Sequence, residues 1–360
     1  MYIIKKIREV ALFGILSLLS SMTSSFHIGK NNPDLVIANG RLPKIVTDVK
    51  GNIHLAYGVG DSIMYATSSN QGASFSSPKL VAVLPELFAN AMRGPQIAAT
   101  INGIIITANT EYGNLYSYHN DAAGNWSKAS KVNDVDSVSK EALTSLSADG
   151  SIAFAVWLDV RANGGKGQRL YGASSNDGGI TWSKNIMIYA SPDKSICECC
   201  KPSVLIKGNN IYAMFRNWLN GNRDLYLVQS SDGGKSFGTA SKLGMGSWKL
   251  NGCPMDGGGL ALGTDGAVET VWRREGNIYS STAGKSETLL GEGRSCSMTS
   301  LNGKNFYTWT RNGDVIVMTP GKEVKILGKG AVPVINAINN EKVICVWENE
   351  KEIHASVLEL

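Results

Sequence analysis

Ser174-Ser-Asn-Asp177-Gly-Gly179-Ile-Thr181-Trp182 is the stretch from which the fold is read. An Asp in a short polar turn accepts hydrogen bonds from the amides of its own turn, and Gly supplies a positive φ. The closing aromatic can then plug the hairpin into a core. The pattern returns as Ser230-Ser-Asp232-Gly-Gly234-Lys-Ser-Phe237 and, with Asn for Asp, as Ser68-Ser-Asn70-Gln-Gly72-Ala-Ser-Phe75. A weaker echo runs from Ser280 to Glu287. Several copies at similar spacing describe an architecture rather than a turn.

Working outward from these turns, extended segments open at Pro43, Pro95, Leu143, Pro202, Gly257, Cys296 and Pro333. Each is followed by a second strand rich in aromatic or β-branched residues, such as AFAVWLD or FYTWTRN. That makes seven units of roughly 40 to 60 residues, the period of propeller blades. The last unit supplies three strands before Leu360, and the strand-like stretch Leu35 to Ala38 can complete it. Joining the two ends of the chain in one sheet removes the open edge. The expectation is an all-β propeller of seven blades, with six as the alternative, closed by an N-terminal strand.

At 360 residues, 43% hydrophobic and 18% charged, the chain can bury a large core. A net charge of +5 is far from nucleic-acid scale, and part of it sits in Lys5, Lys6 and Arg8. Those residues precede an apolar run from Val10 to Leu19 and then small residues up to Ser25, the layout of a secretory signal peptide. The run is too short for a comfortable membrane span. Residues 1–25 therefore read as a leader and 26–360 as one domain, secreted or periplasmic, with no membrane span after cleavage.

The turns SSNDGGITW and SSDGGKSF resemble the Asp-box (BNR) repeats of the sialidase superfamily, and Arg41-Leu42-Pro43 is similar to the Arg-Ile-Pro signature that opens its first blade. The resemblance implies a propeller that binds, and in catalytic members hydrolyses, an anionic glycan in the exo-sialidase manner. It implies an arginine clamp on the substrate carboxylate, which begins here with Arg41. An aspartate acid/base is expected at Asp61, and a tyrosine nucleophile, for which Tyr307 is the candidate beside the Glu111-Tyr112 pair. The chain departs from the family at Tyr57-Gly58-Val59-Gly60, where an acidic residue and an arginine are usual.

Propeller geometry puts the approach to each innermost strand and the loop after each second strand on one face. Every arginine after the leader falls at one of these two places, while lysines are spread through other turns. Arg41, Arg93, Arg216, Arg273, Arg294 and Arg311 are the candidate ligands for an acidic group. The other reading is that such arginines pair with carboxylates and staple blades together.

Cys197-Glu-Cys199-Cys200, Cys253-Pro-Met255-Asp256 and Cys296 precede three adjacent innermost strands on the same face. In an exported protein, disulfides are one reading of them. A soft-ligand site for copper or another thiophilic ion, built from Cys197, Cys199, Cys200, Cys253, Met255 and Cys296, is the other. Cys345 reads as a core thiol. Trp157, Trp272, Trp309 and Trp347 recur at one place in second strands and read as packing, whereas Trp218 and Trp248 are candidates to stack on a ligand. Two functions stand side by side: an anionic-glycan propeller, and a non-catalytic propeller that binds a thiophilic metal or a protein partner.

Overall fold

The computed structural model describes residues 34–359, so the leader expected at 1–25 lies outside the described residues. Among the described residues are seven antiparallel four-stranded sheets. Their innermost strands are Arg41–Thr47, Gln96–Thr100, Thr144–Asp149, Ser203–Lys207, Gly258–Leu262, Arg294–Leu301 and Ala331–Ala337, one for each expected opening. Each touches the next in cyclic order, and the last touches the first. The molecule is a seven-bladed β-propeller. Blade seven closes as the sequence indicates: Leu35–Asn39 pairs antiparallel with Glu352–Glu359 as the outermost strand of that sheet.

A blade packs on neighbours through both faces, so its second strand is a near-continuous apolar run rather than an alternating one. Ile152–Asp159 is buried at every position after the first. Trp157, Trp272, Trp309 and Trp347 lie at equivalent places in four second strands, all at 2% exposure or less. They are wedges between blades, and truncating one to Ala costs ~3–5 kcal/mol. Where the indole N–H is satisfied it stays within the wall, as from Trp157 Nε1 to Asp159 Oδ2 at 2.8 Å.

The repeated turns join third to fourth strands. Asp177 Oδ1 accepts from the amides of Ile180 at 3.1 Å and Thr181 at 3.0 Å, and Oδ2 accepts from the Thr181 hydroxyl at 2.5 Å. Partial burial pushes the Asp177 carboxyl up, but these bonds win and hold it below its usual range. Asp232 repeats the arrangement with Lys235 and Ser236. Each turn also docks on the preceding blade. Trp182 Nε1 donates to Ser117 Oγ of blade two at 2.8 Å. A Cβ on Gly234, whose φ is +84°, would lie 2.5 Å from Phe154 of blade three. These turns lie at the opposite ends of the strands from the arginines.

Candidate functional site

Approaches to the innermost strands share a backbone feature. Leu42, Ala142, Met255, Ser295 and Val332, from blades one, three, five, six and seven, all take left-handed φ values between 46° and 55°. In blades one, six and seven the strand register slips there. Each non-glycine residue held this way costs about 1–3 kcal/mol, most where the side chain is β-branched, as in Val332. The bulge turns amides toward carboxylates: Leu42 N donates to Glu348 Oε2 at 3.0 Å and Ser295 N to Asp256 Oδ1 at 3.2 Å.

The arginines do gather on this face, yet most are already used. Arg41 Nε meets Glu348 Oε1 at 3.0 Å, binding blade one to blade seven. Arg93 holds the Glu141 carbonyl at 2.6 Å and its carboxylate at 2.8 Å. Arg216 is 2% exposed and spends both terminal nitrogens on the carbonyls of Arg223 and Arg273. Arg273 donates to the Glu275 carbonyl at 2.5 Å and reaches Asp256 at 3.4 Å. Arg161 pairs with Asp159 and Asp134, and Arg274 with Glu287. Of the six candidates, Arg216, Arg294 and Arg311 make no ion pair among the described residues, and Arg216 is already held by its two carbonyls. The faces of Trp218 and Trp248 are covered too, by Arg223 in one case and by Arg216 and Arg273 in the other.

The cations that face the channel at the centre of the ring are lysines. Lys44 follows Pro43 and Lys201 precedes Pro202, so each sits where a proline opens an innermost strand. Both line a cavity of about 210 Å³ with Gln96, Ser145, Ser203 and Asp256. Lys201 Nζ donates to Gln96 Oε1 at 2.6 Å, and the Gln96 amide is fixed by donating to the Gly94 carbonyl at 2.7 Å. Neither lysine is in an ion pair among the described residues. Both keep some water-accessible surface because the channel is open, yet protein encircles them. That enclosure pushes Lys44 down to about 8, and it pushes Lys201 well below the ordinary lysine range, with the Lys44 charge adding to it. Lys44 and Lys201 thus stand at innermost-strand entries, where the sequence pattern places arginines and assigns lysines to other turns.

Arg41 and Asp61 come together in a cleft of about 680 Å³, which Phe88, Asn90 and Glu111 also line. Arg41 and Asn90 continue into a second cleft with Ala91 and Val332. Those two residues lead to a third beside Met92 and Ser295, which line the channel as well. Shared walls therefore trace one groove over the mouth from Asp61 to the lysines. Tyr307 is not on it: burial raises its phenol, which sits beside Ser280 and Asn305 near Glu269, between blades five and six.

Of the six sulfur residues singled out from sequence, four converge. Cys199 and Cys253 form a disulfide that joins the approaches of blades four and five, with Cα atoms 6.1 Å apart. Cys197 Sγ lies 3.3 Å from Cys200 Sγ and 3.9 Å from Cys199 Sγ. Arg223 Nη1 donates to Cys197 Sγ at 3.1 Å. The Cys200 thiol is the largest influence on Cys197; with Arg216 and Arg223 it outweighs burial and draws that thiol down to about 6. Burial pushes Cys200 well up. Cys296 is a separate buried thiol on the channel wall, and Met255 lines the cleft beside Arg294. Cys345 is a core thiol as expected, pushed up to about 12 by burial.

No protein-family model matches the chain, and no curated protein is similar to it in sequence. Solved structures are similar in fold. A lectin from Burkholderia pseudomallei aligns with a TM-score of 0.65 at 9% identity, over 89% of this chain and 96% of its own. An α-L-arabinanase from Penicillium chrysogenum, complexed with arabinobiose, aligns at 0.55 and 10% identity over 92% and 99%. The NanB sialidase of Streptococcus pneumoniae aligns at 0.47 and 14% identity over 91% and 71%. The fold is thus one found among glycan-binding and glycoside-hydrolysing propellers, and fold alone does not fix chemistry.

Proposed function

We propose that this protein is a glycan-recognising propeller that seats one anionic group of its ligand in the central channel, between Lys44 and Lys201. The observation that carries the reading is the pair of encircled lysines, in no ion pair among the described residues, that line the channel with serine hydroxyls, the Gln96 amide and Asp256. Two amines so enclosed resist sharing positive charge, and a bound carboxylate or sulfate relieves that penalty. A space of about 210 Å³ suits a single charged group. It is smaller than the roughly 300–1,000 Å³ that encloses a drug-sized ligand, so the rest of a saccharide would lie along the groove.

The arginines keep a different role in this reading. They shape the mouth by stapling blades, and lysine takes the part that the sialidase resemblance gave to the Arg41 clamp. Hydrolysis is a second reading, favoured by one observation: Asp61, Glu111 and Arg41 line the same cleft. Two carboxylates flanking a glycosidic bond are the usual requirement for such chemistry. Asp61 is then the acid/base. An exported location is part of the proposal, supported by the leader-like residues 1–25 and by a disulfide that oxidising compartments favour.

Thermal unfolding with inorganic sulfate and with N-acetylneuraminic acid tests the binding site. Both should raise Tm of the wild type and leave the Lys44→Met, Lys201→Met double variant unmoved. An equal rise in both proteins would remove the channel from the proposal. Terminal sequencing of the protein from a fractionated cell tests export, which predicts a mature chain starting near Ser25.

A further inference from the structure

The disulfide between Cys199 and Cys253 has an outer and an inner side. Cys253 is exposed, Cys199 is 9% exposed, and behind them Cys197 and Cys200 are at 0% and 2%. A structural disulfide gains nothing from free thiols beside it, because a thiolate in contact with a disulfide sulfur exchanges with it. Here two thiols are in contact with each other at 3.3 Å, and one lies 3.9 Å from the disulfide sulfur of Cys199. The chain makes this closeness unavoidable, since three of the four cysteines fall within Cys197-Glu-Cys199-Cys200.

We propose that Cys197, Cys199, Cys200 and Cys253 form a two-disulfide relay, in which a buried dithiol and a surface disulfide exchange oxidation states and so serve a dithiol or disulfide protein that docks at Cys253.

The exchange balances without an outside oxidant. The Cys197 thiolate attacks Cys199 Sγ, a Cys197–Cys199 bond forms, and Cys253 leaves as a thiolate. Cys200 gives its proton to Cys253 and attacks Cys197 Sγ, forming Cys197–Cys200 and releasing Cys199 as a thiolate. One disulfide, one thiol and one thiolate precede the two steps, with Cys200 supplying the thiol, and the same set follows. The pair Cys199 and Cys253, of which Cys253 is exposed, is then reduced and can pass two electrons to a partner disulfide, leaving Cys197–Cys200 as the inner store.

The surroundings fit this use. Arg223 Nη1 is 3.1 Å from the attacking sulfur, and a buried Arg216, whose Nε has no partner among the described residues, stands beside the cluster. Fixed cations favour whichever sulfur carries the negative charge during exchange. The site is independent of whether the channel binds a glycan.

Disulfide mapping of the full-length oxidised protein provides the test. The protein is held at pH 8 without reductant, quenched in acid, alkylated and digested. Cys199–Cys253 links segments 54 residues apart, whereas Cys197–Cys200 is local, so mass spectrometry separates them. Both isomers are expected in the wild type, with Cys197–Cys200 lost in Cys200→Ser and replaced by a trapped Cys197–Cys199 bond. Finding Cys199–Cys253 alone in the wild type, with Cys197 and Cys200 fully alkylated, overturns the relay. So does a stoichiometric metal ion held by four reduced cysteines in protein purified without chelator. The wild-type result needs no variant to fold.

Discussion

Lys201 donates from Nζ to Gln96 Oε1 at 2.6 Å, tying the start of blade four to the start of blade two across the centre of the ring. Burying an amine on a neutral acceptor, beside a second amine and with no ion pair among the described residues, is costly. The proposed anion site accounts for its persistence, since a bound anion would offset that cost. Lys201→Met should therefore abolish the Tm response to sulfate while leaving the unliganded Tm equal to, or above, that of the wild type. A drop of several degrees without ligand would mean the lysine is structural.

Stability should depend on pH through Lys44. Its folded value, about 8, is below its ordinary 10.5, so between those limits the unfolded chain binds more protons. Unfolding free energy then rises with pH across that window, and the full penalty for the charged amine is present below it. Chemical denaturation from pH 7 to 10.5 should show this upward contribution in wild type and its loss in Lys44→Met. Sulfate should act in the opposite sense, stabilising most at the acid end of the range, where both amines carry charge around the anion.

The turn repeats predict a contrast between adjacent glycines. Gly233 and Gly234 both have positive φ, but a Cβ on Gly233 meets open space, whereas one on Gly234 strikes Phe154. Replacing each with Ala costs the left-handed backbone term of ~1–2 kcal/mol. Gly234→Ala adds overpacking of ~1–3 kcal/mol. Urea unfolding of the two variants measures the difference, and equal losses would mean the turn does not dock on blade three.

Catalysis, where it occurs, should fail in Asp61→Ala. Loss of a general acid/base lowers turnover by roughly 10²–10⁴-fold. Binding of sulfate in the channel should survive, because Asp61 lies at the other end of the groove. Hydrolysis of a fluorogenic sialoside at the wild-type rate by this variant would remove Asp61 from the chemistry.

What the sequence disclosed follows from range. A turn such as Asp177 to Thr181 is made by neighbours, so it was legible, and from it came the blade openings and the closing strand Leu35–Asn39. Arg41 and Glu348 are 307 residues apart, and no local pattern announces that they meet. The same holds for Lys44 and Lys201, brought together only because innermost strands from opposite parts of the ring face one channel. Their flanking prolines, Pro43 and Pro202, were the available signal. The crowding of cysteines toward one sector could be read from spacing. The pairing of Cys199 with Cys253 could not, since it depends on how two strand approaches sit side by side.

Blade seven draws its outermost strand, Leu35–Asn39, from one end of the chain and its other three from Ala331–Ala337 onward. The first of these strands to be synthesised therefore waits, unpaired, for the last. Six blades can assemble as they emerge, but the ring remains an open arc until Glu352–Glu359 has been made. Throughout that interval Leu35–Asn39 and the flank of blade six present sticky edges to any other chain nearby. Quality in production thus depends on a single late event, and slowed or truncated synthesis should yield aggregates rather than a weakened monomer.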